Sequence, residues 1–285
     1  MLDPSERVAP PTADMARNLD GLARALASKP AEEGQEELAG ALEAVDHINR
    51  VAWHYFVHDW PYEGEEVMAE ALESTRKEAG RLGPSRPRDL VISAYLFNLG
   101  FLRLSVLGQY ESAAEALHES LSLRVSVLGG VHTLTVEATV SRGWALMLTG
   151  ETELAVDELI STAEALLSVE RAATAERLLR QALEGSSNPL GIASYSHVCY
   201  TQHVNMLRGW GKDGAKKADT FVSAQMAISK KAMLPPKDGR SVRARKVLAR
   251  ALSVQAEVTS EKGELLPLSR ADKDQLWEEA KWLWK

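Results

Sequence analysis

Apolar residues return at three- and four-residue steps along most of this chain, the spacing of a buried helix face. Leu38, Ala41, Leu42, Val45, Ile48, Ala52, Tyr55 and Phe56 make one such stripe and predict a helix over 35–59. Trp60-Pro61 stops it, because proline removes a backbone donor and restricts the residue before it. Val67, Met68, Ala71 and Leu72 predict a second helix over 62–82, closed by Leu82-Gly83-Pro84. Further helices are expected over 90–107, 110–128, 135–149 and 152–169, then less regularly over 174–183, 190–207 and 215–233. Pro235-Pro236-Lys237-Asp238-Gly239 is the sharpest break, followed by helices over 241–261 and 271–284. Strand-like alternation appears nowhere for more than a few residues.

The helices carry repeated punctuation. Gly108 and Gly150, Ala113 and Ala155, and Leu117 and Leu159 are each offset by 42 residues. A fixed period of this size belongs to stacked helix pairs. The small residues let paired helices approach, and Leu117 and Leu159 fill the space between pairs. The expected fold is all-α, an α-solenoid of stacked antiparallel hairpins. Its expected divisions are a mobile tail and short helix over 1–34, a repeat domain over 35–234, and a helical pair over 235–285 that caps the array. Trp277, Trp282 and Trp284 would seal its open end, since a terminal repeat must cover an apolar face.

Asn98-Leu99-Gly100, Gly108-Gln109-Tyr110-Glu111 and Ala113 resemble the small and aromatic positions of a tetratricopeptide repeat. Arg142-Gly143-Trp144, Gly150 and Ala155 resemble the next repeat in the same register. The loops Leu82-Gly83-Pro84 and Leu128-Gly129, the latter with His132, are similar to those of the kinesin-light-chain-like variety. The resemblance covers about 60–169 well and the remainder loosely. Two departures stand out: Gly100 to Gly108 is one residue longer than the usual spacing, and Arg142 stands where a buried leucine is expected. The resemblance implies a scaffold that binds a peptide or helix of a partner protein in a concave groove lined by the first helix of each hairpin.

On that geometry the groove candidates are Tyr95, Asn98 and Leu102 on one helix, Glu137, Val140, Trp144 and Met147 on the next, and Gln202, Asn205 and Arg208 on a later one. An asparagine amide suits peptide recognition because it both donates to and accepts from a backbone. The same asparagines could instead tie neighbouring helices together.

Composition changes the picture in three places. The net charge of −7 hides an acidic stretch over 31–80 and a basic one over 208–250. That split supports a second reading, nucleic-acid or anionic-surface binding through 208–250, although from Lys212 to Arg250 only Phe221 interleaves the basic residues where stacking would need several aromatics. Strong self-association between the two ends is not expected. The single cysteine, Cys199, fits a reducing compartment and excludes an internal disulfide, so a cytoplasmic protein is expected. No apolar run approaches the roughly 18 residues of a membrane span.

His47, His54 and His58 form a narrow wedge on the first long helix, and His54 and His58, one turn apart, support a third reading as a metal-dependent enzyme. His47 lies about 10 Å further along the axis, and no partner ligands suggest themselves. No metal or cofactor is expected. Gly209-Trp210-Gly211-Lys212 lacks phosphate-loop spacing, no nucleophile elbow is present, and Cys199 reads as a core thiol, so the chain is not expected to be an enzyme.

Overall fold

The computed structural model describes residues 44–52, 54–55, 60–82, 85–187, 211–232 and 238–257, together with 274, 278, 279 and 281. Among them every regular element is a helix. A first helix, α1, is described over 44–52 and 54–55. There follow α2 (Pro61–Leu82), α3 (Arg86–Leu102, continuing as a π-helical segment Arg103–Leu107), α4 (Tyr110–Leu128) and α5 (Thr133–Thr149). The series ends with α6 (Thr152–Ser168), α7 (Ala172–Ser187), α8 (Gly211–Ala232) and α9 (Gly239–Glu257).

Most boundaries fall where the periodicity puts them, and the differences have local causes. Ser85, between the helices expected over 62–82 and 90–107, is the N-cap of α3: its Oγ accepts a hydrogen bond from the Arg88 N–H, and Pro87 sits in the first turn, where no backbone donor is needed. Gly185-Ser186-Ser187, beyond the helix expected over 174–183, continues α7.

The contacts divide the chain into two units, Met1–Arg142 with Val198–Asp219, and Gly143–His197 with Thr220–Lys285. This division does not coincide with the expected 35–234 and 235–285. It passes inside α5 and inside α8. The tail over 1–34 and the three C-terminal tryptophans lie outside the described residues.

In the first unit α2 packs along α3, and α3 along α4. The α1/α2 crossing is close: a Cβ on Gly64 would lie 2.7 Å from the Ala52 carbonyl oxygen. The α3/α4 crossing is nearly as close, since a Cβ on Gly100 would lie 2.8 Å from Leu117 Cγ. Gly108 takes the left-handed conformation, φ 65°, that turns the chain between α3 and α4.

Helix α3 corrects one expectation. Arg86–Leu107 is long and apolar enough to cross a membrane, but 89% of its most apolar window is buried inside the protein. It is apolar on nearly every side because helices pack around it, the signature of a core helix.

In the second unit α6 packs along α7, and α9 packs on both α7 and α6. Thus α9 follows α7 in space although the whole of α8 intervenes in sequence. Small residues make the fit: Ala172, Ala175 and Ala182 of α7 and Ser241, Ala244 and Ala251 of α9 are buried. Arginines flank it. Arg240 Nε donates to Asp157 Oδ2 at 2.9 Å and its Nη2 lies 3.0 Å from Glu153 Oε2. Arg243 grips Glu164 with two nitrogens, at 2.6 and 3.2 Å.

Candidate functional site

The stripe expected to line a groove is present on α3 but is not open. Ser93, Phe97 and Gly100 face α4: the Ser120 hydroxyl donates to the Ser93 carbonyl, and Leu117 lies against Gly100. Tyr95, Asn98 and Leu102 therefore point away from α4 by helical geometry. All three are buried, and Asn98 is 0% exposed. This corrects the expectation that they are exposed side chains of a concave surface.

Tyr95 lies near the Thr75 side chain of α2, which favours its ionised phenol. Burial pushes its phenol pKa up, the larger effect, while Thr75 works the other way. Asn98 differs: among the described residues neither its Oδ1 nor its Nδ2 has a hydrogen-bond partner. A buried primary amide with all its capacity unspent is uncommon and costs stability.

Trp144 and Met147 are buried in the second unit, Val140 is half-buried, and Glu137 is exposed. The structure thus keeps Tyr95 and Asn98 together on one helix and places Trp144 in a different unit. Gln202, Asn205 and Arg208 lie outside the described residues, as do His58 and Cys199. His47 and His54 are exposed on α1. Among the described residues no group of three His, Cys, Asp or Glu side chains is arranged to hold a metal.

Three features escaped the sequence reading. The first is a polar clasp where α3 ends. Arg103 Nε donates to Glu65 Oε1 at 2.7 Å, and Gln109 Nε2 donates to Glu65 Oε2 at 3.1 Å, so one carboxylate of α2 holds both sides of the α3/α4 turn. Arg103 opens the π-helical segment. The extra residue between Gly100 and Gly108 is housed in this widened turn. Ser105 closes part of it by donating its hydroxyl to the Phe101 carbonyl at 2.6 Å.

The second is Arg124 of α4, fully buried. Its guanidinium lies 4.4 Å from the centre of the Phe97 ring, and Nη1 donates to the Leu134 carbonyl at 2.7 Å. Burial pushes its pKa down to about 9, and the Glu137 carboxylate works against that. It still carries its charge at neutral pH and ties the start of α5 to the α3/α4 pair. Arg142, at an expected leucine position, is also buried. The third is an exposed aromatic pair, Trp60 and Tyr62, at the start of α2.

The basic stretch is only partly free. Arg240 and Arg243 are committed to carboxylates of α6, whereas Lys212, Lys217, Lys246 and Arg250 are exposed.

No family model matches the chain, and no curated protein matches its sequence. Among solved structures, the chain is similar to the TPR-like repeats, described as nearly identical, of a kinesin-light-chain protein from Podosopora anserina. That likeness has a TM-score of 0.39 and 14% identity and covers 85% of this chain and 95% of that one. A single-substitution variant of the same protein gives a TM-score of 0.40 and 15% identity, over 84% and 94%. The hairpin architecture stands on the helix contacts of the chain itself.

Proposed function

We propose that this protein is an interaction scaffold, not an enzyme, which receives a peptide or helical segment of a partner protein along the Tyr95–Asn98–Leu102 face of α3. The observation that carries the reading is Asn98. Its amide offers a donor and an acceptor side by side, the complement of one peptide unit, and neither is used among the described residues. Because the side chain is fully buried, the partner must open this face to reach it, and binding is coupled to a local rearrangement of the first unit. A cytoplasmic setting belongs to the same reading and rests on the single cysteine. Pairing of Arg240 and Arg243 with α6 weighs against the nucleic-acid alternative, which needs those cations free.

The test is Asn98→Leu, which keeps the volume and removes the amide. Affinity capture from native lysate should lose the partner that wild type retains, while the melting temperature is unchanged or higher. Retention of the same partner by a folded Asn98→Leu protein would refute the role of this face.

A further inference from the structure

We propose that the outer face at the start of α2 is a second docking surface, for an arginine- or lysine-bearing segment of a partner protein, with Trp60 as its apolar anchor. It is separate from the α3 face and does not depend on it.

Trp60 is 57% exposed and Tyr62 45%, at one helix start. Among the described residues the other exposed large apolar side chains, Val125, Leu154 and Val169, stand singly elsewhere. An indole left in water on an ordered backbone is typical of an interface anchor rather than of ordinary surface. The backbone here is ordered: the Trp60 N–H donates to the Tyr55 carbonyl at 2.9 Å, and the Trp60 carbonyl accepts from the Gly64 N–H at 3.3 Å. Tyr55 lies beside the indole, ring centres 6.3 Å apart, and steadies it from one side.

The surroundings select the partner's charge. Helix α2 buries Pro61, Gly64, Met68 and Leu72, so Tyr62, Glu63, Glu66 and Glu70 fall within an arc of about 100° on its solvent side. Several other carboxylates of the first unit are matched, Glu65 with Arg103, Glu119 with Arg76, Glu73 with Lys77, Glu78 with Arg81 and Asp46 with Arg50, whereas Glu111 and Glu115 of α4 are exposed without an indole beside them. Glu63, Glu66 and Glu70 have no such cation among the described residues. The helix dipole accounts for Glu63 in the first turn, but its effect fades beyond that turn and leaves Glu66 and Glu70 unexplained. An indole face beside a row of unmatched carboxylates fits an arginine, which stacks on the ring while neighbouring basic residues meet the carboxylates.

The experiment uses the full chain and a fluorescein-labelled peptide of alternating arginine and alanine, with a glutamate–alanine peptide as its mirror, read by anisotropy at low and moderate salt. The basic peptide should bind and the acidic one should not. Trp60→Ser and the pair Glu66→Gln, Glu70→Gln should each weaken binding at least tenfold with melting unchanged. Removing two exposed carboxylates of α4, Glu111→Gln and Glu115→Gln, should change it less than twofold. Equal losses from the two glutamine pairs, or full binding by Trp60→Ser, would reduce the effect to general charge attraction and overturn the proposal. So would absence of basic-peptide binding. Self-association by sedimentation that Trp60→Ser abolishes would assign the surface to a second copy instead.

Discussion

A glycine within a helix ordinarily costs about 0.5–1 kcal/mol relative to alanine, and Gly100 and Gly143 occupy corresponding positions with different neighbours. A Cβ on Gly100 would press to 2.8 Å of Leu117 Cγ and 3.2 Å of the Ala113 carbonyl oxygen; on Gly143 it would meet Leu159 at an ordinary 3.4 Å. Urea denaturation should find Gly100→Ala destabilised by about 1–3 kcal/mol and Gly143→Ala neutral or slightly stabilised. Equal effects would mean that the α3/α4 crossing is not as tight as described. Arg124 makes a second contrast. Truncation to alanine leaves a large void and an unmet Leu134 carbonyl contact, so Arg124→Ala should cost roughly 3 kcal/mol or more, whereas Arg124→Met, which fills the space without a buried charge, should cost under about 1. The pH dependence has a defined sign. With its pKa lowered from the ordinary guanidinium range to about 9, folded Arg124 releases, from about pH 9 upward, a proton that the unfolded chain still keeps. Its contribution to stability therefore rises with pH in that window. Wild type should gain on Arg124→Met between about pH 8 and pH 10; a constant difference would show that Arg124 does not titrate there.

At the level of elements, the π-helical segment absorbs one residue, and the Glu65 clasp depends on where that residue leaves Gln109. Deleting Val106 would turn everything after it by about 100° relative to Arg103. The deletion should lower stability by roughly 1–3 kcal/mol and speed hydrogen exchange at the α3/α4 turn. A fully stable deletion variant would make the widened turn dispensable. Helix existence was legible in the sequence because each helix buries one apolar stripe and hairpin turns need left-handed residues, supplied by Gly108 and Gly150. The repeat faded after Val169 because Glu170 takes that conformation instead, φ 61°, and carries no glycine signal. The clasp and the buried Arg124 were illegible because each joins residues from separate turns or helices, and nothing local marks a glutamate as inward-facing. Tyr95, Asn98 and Leu102 share one stripe of α3, as the helical spacing predicts, but how fully the rest of the chain covers that stripe has no local signature.

For the whole molecule, the division of charge read from sequence is tempered by the fold. The arginines at the start of α9 answer carboxylates of α6, so the basic stretch has less free charge than its composition suggests. At low salt a gel shift with generic duplex should show no retained complex; tight binding that falls steeply with added salt would restore the nucleic-acid reading. Protein purified without a histidine tag should contain well under one zinc, iron or manganese per chain, and one equivalent lost in His54→Ala would revive the metal-dependent reading. The extra residue before Gly108 reaches beyond its own turn. Gly108 and Gly150, Ala113 and Ala155, and Leu117 and Leu159 keep a 42-residue offset, whereas Gly100 and Gly143 stand 43 apart. The array thus contains a dislocation in the crystallographer's sense, confined to five residues: the second helices of successive hairpins stay in phase, and the first helices slip by one. The phase step is written in the first helices alone, and the spacing of the second helices never registers it.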